Sequence, residues 1–100
     1  MKNILLVCNA GMSTSMLVTK MQKAAQDLGV EVHIEAKPLS DAKKAIGEVD
    51  VVLLGPQIRY ELDNIKKIAV NTPVEAINMQ DYGLMNGKKV LARALELMGE

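Results

Sequence analysis

From Ile4 to Val18 the chain reads ILLVCNAGMSTSMLV: an apolar run meets the single cysteine, Cys8, crosses a short loop of small and hydroxyl-bearing residues, and resumes an apolar pattern. A thiol set where a strand ends and a helix begins faces the partial positive charge of the helix N-terminus, which favours its anionic, nucleophilic form. The same helix end offers free backbone N–H groups to an anion. Gly11 lets the loop turn tightly, and Ser13, Thr14 and Ser15 read as N-caps that add three hydroxyls. The segment Asn9, Ala10, Gly11, Met12, Ser13, Thr14 and Ser15 is therefore expected to form an anion cradle with a nucleophilic thiol at its mouth. The plainer reading, a small buried hydrophobe followed by an ordinary helix cap, describes most lone cysteines. Only the position of Cys8 in the fold can favour chemistry over it.

Four β-like runs alternate with four helical ones: Asn3–Cys8, Ser13–Leu28, Glu31–Ala36, Asp41–Gly47, Asp50–Leu54, Ile58–Ala69, Val74–Ile77 and Tyr82–Met98. Such alternation predicts an α/β domain with a parallel sheet and helices on both faces. The runs Ile4-Leu5-Leu6-Val7 and Val51-Val52-Leu53-Leu54 are apolar on both sides, as central strands should be, whereas Val30, Val32, Ile34 and Ala36 alternate with Glu31, His33 and Glu35. The second strand is thus an edge, the short fourth strand is the other, and right-handed crossovers give the flavodoxin-like order 2-1-3-4. That order makes a switch point between the first and third strands, where ligands of open α/β sheets bind. Cys8 ends the first strand and Gly55-Pro56-Gln57 follow the third, so their loops should be neighbours. Apolar stripes at Leu17, Met21, Ala24 and Leu28, at Ile58, Leu62, Ile65 and Ala69, and at Leu84, Leu91, Leu95 and Met98 predict the buried helix faces. Most of the methionines are expected to fill the core.

Composition narrows the function. One hundred residues, 49% of them hydrophobic, suit a single domain over residues 1–100 that folds without disulfide or metal. Twelve basic residues balance twelve acidic ones, so no global field draws the chain to nucleic acid. One cysteine and one histidine fall short of a structural zinc site and suit a reducing cytoplasm. The apolar start is too short for a signal peptide or a membrane span. His33 reads as a solvated residue on the polar face of an edge strand, and the Lys43-Lys44 and Lys66-Lys67 pairs as helix surface.

Several chemistries are poorly served. The loop resembles the Cys-x5-Arg signature of low-molecular-weight tyrosine phosphatases, but the sixth residue after Cys8 is Thr14. Without an arginine clamp or an evident general acid, hydrolytic turnover is not expected. There is no second cysteine for thioredoxin-type exchange, no G-x-G-x-x-G after the first strand for a dinucleotide, little aromatic surface for a flavin, and no aspartate ending the third strand as in a receiver domain.

The stretches LLVCNAGMSTSMLVTKM and VVLLGPQIRY resemble the IIB components of the sugar phosphotransferase system, in the lactose, cellobiose and diacetylchitobiose family, and the likeness runs the whole length. The resemblance implies a cytoplasmic phosphocarrier without cofactor or metal. The cysteine matching Cys8 would take a phosphoryl group from a phosphohistidine of enzyme IIA and pass it to a sugar held by the membrane enzyme IIC. The backbone from Asn9 to Ser15 would cradle the phosphate, and Gly55, Pro56 and Gln57 would flank it. Family members often carry Cys-Ser-Ala-Gly, so Asn9 is a departure of little consequence if its backbone does the binding. Tyr60 and Tyr82 are expected on the same rim, in reach of a partner. An alternative is a regulatory binding module in which phosphorylated Cys8 reports sugar flux.

Overall fold

Two strands that are apolar on both sides need cover above and below, and the computed structural model supplies it with helices on each face of one parallel sheet. It describes residues 2–8 and 12–99, with the backbone alone for 12–14. The strands are β1 (Lys2–Cys8), β2 (Val32–Pro38), β3 (Val51–Leu54) and β4 (Val74–Ala76). They lie in the order β2-β1-β3-β4, all parallel, as the hydropathy pattern requires. The helices are α1 (Met12–Leu28), α2 (Leu39–Ala45), α3 (Leu62–Ile68), α4 (Met79–Gly83) and α5 (Gly87–Leu97).

Alternation along β1 divides the core in two. Ile4 and Leu6 join Leu17, Met21, Tyr82, Leu91 and Ala94 on the face covered by α1, α4 and α5. Leu5 and Val7 join Ala42, Ile46, Val52, Leu54, Ile58 and Ile65 on the face covered by α2 and α3. Every side chain from Ile4 to Val7 and from Val51 to Leu54 is at most 1% exposed, as strands covered on both faces require. At the amino edge the Asn3 amide donates to Asp50 Oδ2 at 2.7 Å while the Asp50 amide donates to the Asn3 carbonyl at 2.9 Å.

The expected last helix, Tyr82–Met98, is two helices. Asn78 caps the first, its side chain accepting from the Gln80 and Asp81 amides, and Asn86 caps the second, accepting from the Lys89 amide at 3.2 Å. Between them Met85 takes a left-handed φ of 53°, which turns the chain. Leu84, expected on a buried stripe, is consequently exposed, and Leu28 at the end of α1 is half exposed. The run from Ile58 is also not one helix: a 3₁₀ segment, Pro56–Glu61, is kinked at Ile58 and precedes α3. Among the described methionines, Met21, Met85 and Met98 pack into the core as expected, but Met16 and Met79 are exposed. His33 is solvated, 3.7 Å from the Glu35 carboxylate. Among the described residues no helix is long and apolar enough to cross a membrane.

Candidate active site

Cys8 is the last residue of β1 and is buried, 4% exposed. Register places Pro38, the end of β2, on one side of it. On the other side the β1–β3 ladder runs from Ile4 opposite Val51 to Val7 opposite Leu54, and the Gly55 amide extends it by donating to the Val7 carbonyl at 2.8 Å. Gly55 thus stands beside Cys8, and the loops after the first and third strands meet as the predicted strand order demands.

Having no side chain, Gly55 leaves open the flank of Cys8 that faces β3. A Cβ there would lie 3.9 Å from Cys8 Cβ, 3.4 Å from the Val7 carbonyl oxygen and 3.1 Å from Gln57 Oε1. Pro56 then starts the 3₁₀ segment, where its missing N–H costs nothing, and the Ile58 amide donates to the Gly55 carbonyl at 3.0 Å. This turn folds the exposed Gln57 back over Gly55 and leaves Tyr60 70% exposed on the rim. Tyr82 lies inside α4, after the carboxyl end of β4, and is 7% exposed in the core, so little of it is open to a partner.

Helix α1 starts at Met12, four residues after Cys8, and its 17 residues direct their N-terminal partial charge at the carboxyl edge of the sheet. Ser13, Thr14 and Ser15, expected as caps, occupy the first turn instead; hydroxyl residues are readily housed there because the first turn's N–H groups lack helical acceptors. No acidic residue lies in that turn to repel an anion. The Ser15 carbonyl accepts from Thr19 Oγ1 at 3.2 Å. Asn9, Ala10 and Gly11 lie outside the described residues, as do the side chains of Met12, Ser13 and Thr14.

One neighbour of Cys8 and one exposed residue of α1 went unread in the sequence. Pro38 is beside the cysteine because β2 runs two residues past its alternating stretch, and pairing the two parallel strands residue by residue would have found it. Met16 is exposed on the second turn of α1, near the same edge, although methionine alone suggested core. The groove of about 280 Å³ lined by Leu53, Glu75, Asn78, Asp81 and Arg93 lies against β4 and does not include Cys8. There hydrogen bonds to Glu75 and then Glu96 hold the Arg93 guanidinium above its usual range, the bonds being 2.8 and 2.9 Å.

Comparisons agree with this geometry. Residues 3–93 match the family model described as PTS system, Lactose/Cellobiose specific IIB subunit. The chain is 46% identical to the PTS oligo-beta-mannoside-specific EIIB component of Bacillus subtilis strain 168, over 98% of this chain and 97% of that one. It is 47% identical to the cellobiose-specific EIIB component of Lactococcus lactis subsp. lactis and 46% identical to the galactose-specific one of Lactococcus lactis subsp. cremoris, each over 97% of this chain and 96% of the other. Among solved structures, the cellobiose-specific phosphotransferase IIB component protein of Borrelia burgdorferi superposes with a TM-score of 0.82 at 43% identity, over 98% of this chain and 92% of that one. YwlE of Bacillus subtilis, with the low-molecular-weight tyrosine phosphatase fold, superposes at 0.53 with 12% identity, over 98% and 94%, a likeness of fold alone. With its parallel four-stranded sheet, its cysteine at the switch point and relatives matched over almost their full length, the chain belongs to the lactose/cellobiose-specific IIB subunits of the sugar phosphotransferase system.

Proposed function

We propose that this chain is a cytoplasmic phosphocarrier in which Cys8 takes a phosphoryl group from a phosphohistidine of enzyme IIA and passes it to a sugar held by the membrane enzyme IIC. The observation that carries the reading is the place of Cys8: the end of a central strand, at the switch point, beside Gly55 and four residues before the start of α1. In the first step the thiolate sulfur attacks phosphorus, the S–P bond forms as the N–P bond breaks, and the imidazole leaves with the bonding pair. In the second a sugar hydroxyl oxygen attacks, the S–P bond breaks, and the thiolate returns; the hydroxyl proton goes to a base outside this chain. Asn9 to Ser15 would cradle the phosphoryl oxygens with backbone N–H groups, and Gly55, Pro56 and Gln57 would border them.

The chain holds the phosphoryl group and does not hydrolyse it, because Thr14 stands where a phosphatase has its clamping arginine and no general acid is evident. Relatives named for oligo-beta-mannoside, cellobiose and galactose are almost equally similar to it, which favours sugar selectivity residing in IIC. The test is labelling with phosphorylated IIA. One phosphoryl group should appear per chain, on the peptide containing Cys8, and Cys8→Ser should abolish it because a serine hydroxyl supplies no accessible anion. Undiminished labelling of Cys8→Ser would remove the proposed site. Sugar phosphate formed on adding IIC and sugar separates a carrier from a module that only reports flux.

A further inference from the structure

We infer that Gln57 is a binding group for the transferred phosphoryl, its carboxamide N–H donating to a non-bridging oxygen of phosphate on Cys8; the inference rests on the carrier reading above. Gly55 carries the geometry. The position its missing Cβ would take lies 3.1 Å from the Gln57 carboxamide oxygen and 3.9 Å from Cys8 Cβ, so both side chains border that position and lie within about 7 Å of each other. A phosphoryl group on sulfur extends Cys8 by two bonds, and a hydrogen bond adds about 3 Å, which spans that separation. The amide oxygen and nitrogen exchange places by a half-turn of the carboxamide, so the site can receive a donor where an oxygen now sits.

Among the described residues no hydrogen bond engages this side chain. Gln57 is exposed, and no described residue is a hydrogen-bond partner of its carboxamide, so its amide hydrogens are available to an arriving anion. Pro56 and the bond from the Ile58 amide to the Gly55 carbonyl hold the backbone turn that carries it over Gly55. A neutral donor suits a store of phosphate. It stabilises charge on the phosphoryl oxygens while the S–P bond forms and the N–P bond breaks, yet it neither protonates a leaving group nor activates water. The contact forms on the way to the transition state and is absent before the donor docks, so it accelerates transfer.

The full-length chain and its Gln57→Leu and Gln57→Glu variants are labelled with phosphorylated IIA, and each is separately alkylated at Cys8 with iodoacetamide, which is uncharged. A hydrogen bond to a charged group is worth about 1.5–3 kcal/mol, so Gln57→Leu should take the phosphoryl group roughly tenfold more slowly or worse. Gln57→Glu should be slower still, because its carboxylate faces the incoming anion. Gln57→Leu should react with iodoacetamide within about twofold of the wild type, whereas Gln57→Glu should react more slowly because its carboxylate disfavours the nearby thiolate. Labelling of both within about twofold of the wild type overturns the inference and leaves the carrier reading standing. An equal loss of Gln57→Leu toward iodoacetamide also overturns it, since the substitution would then have damaged the surroundings of the thiol. A wild-type chain that takes no label at all overturns the carrier reading itself and the phosphoryl contact with it.

Discussion

At the scale of single residues, the site depends as much on a side chain that is absent as on the thiol that is present. Gly55 has φ −59° and ψ 146°, a conformation open to any residue, so the backbone does not require glycine there. The space does: a methyl group would crowd Gln57 Oε1 at 3.1 Å and the Val7 carbonyl at 3.4 Å, and would occupy the open flank of Cys8. Stability and transfer are therefore separable at this position. Gly55→Ala should change unfolding free energy by less than about 1 kcal/mol, because the flexible end of Gln57 can give way and the unfolded chain loses freedom. Its rate of phosphoryl transfer should nonetheless fall by about tenfold or more, since a small misplacement at a reacting centre is costly. Urea unfolding and labelling by phosphorylated IIA, run on the same preparation, check both halves. Equal loss of both would show that Gly55 serves packing alone.

Between elements, the arrangement rests on how closely α5 approaches α1. A Cβ on Gly87 would come within 2.5 Å of the Lys20 carbonyl carbon and 2.6 Å of the Met21 nitrogen, atoms of backbone that cannot swing aside. Gly87→Ala must push the helices apart, which should cost about 1–3 kcal/mol by overpacking. A fall in the urea midpoint at unchanged slope is the expected record; an unchanged midpoint would mean that the contact yields freely. The same junction shows what the sequence could and could not tell. Strand order and both core faces followed from Ile4 to Val7 and Val51 to Leu54, because a doubly covered strand must be apolar throughout. Helical spacing of leucines from Leu84 to Met98 suggested one helix, but periodicity records only which side faces inward, and it ran across a break announced by Asn78 and Asn86, both good caps. That oversight put Leu84 on a buried stripe. Cys8 and its neighbour Gly55 could be read because two strand ends define them, whereas the fold of Gln57 over Gly55 depends on a 3₁₀ turn with no periodic signature.

For the molecule as a whole, a parallel sheet sends every strand's carboxyl end to one edge, and this polarity assigns different work to the two ends of the domain. Exposed apolar side chains occur at both: Met16, Tyr60 and Met79 follow the carboxyl ends of β1, β3 and β4, while Leu28, Ile68 and Val70 close the helices that lead back to the amino edge. Exposure alone does not distinguish them, since scattered surface hydrophobes are ordinary. Cys8 does under the proposed carrier function, because a buried thiol exchanging phosphate with two protein partners would have to be approached from its own edge. The formal net charge is zero, so a partner docking there is held by local contact and not drawn in by a global field. Tyr60→Asp should therefore slow labelling by phosphorylated IIA about tenfold, as loss of an aromatic contact costs more than 1 kcal/mol at an interface, while leaving Cys8 alkylation by iodoacetamide unchanged. Val70→Asp, which makes the same change on a still more exposed residue at the opposite edge, should alter neither rate. The two variants control for each other, because a general effect of added negative charge on an acidic partner would slow both alike and salt would relieve it. Slowing confined to Tyr60→Asp would locate the docking face at the carboxyl edge; slowing confined to Val70→Asp would place it at the other end and require a different path for phosphate to reach Cys8.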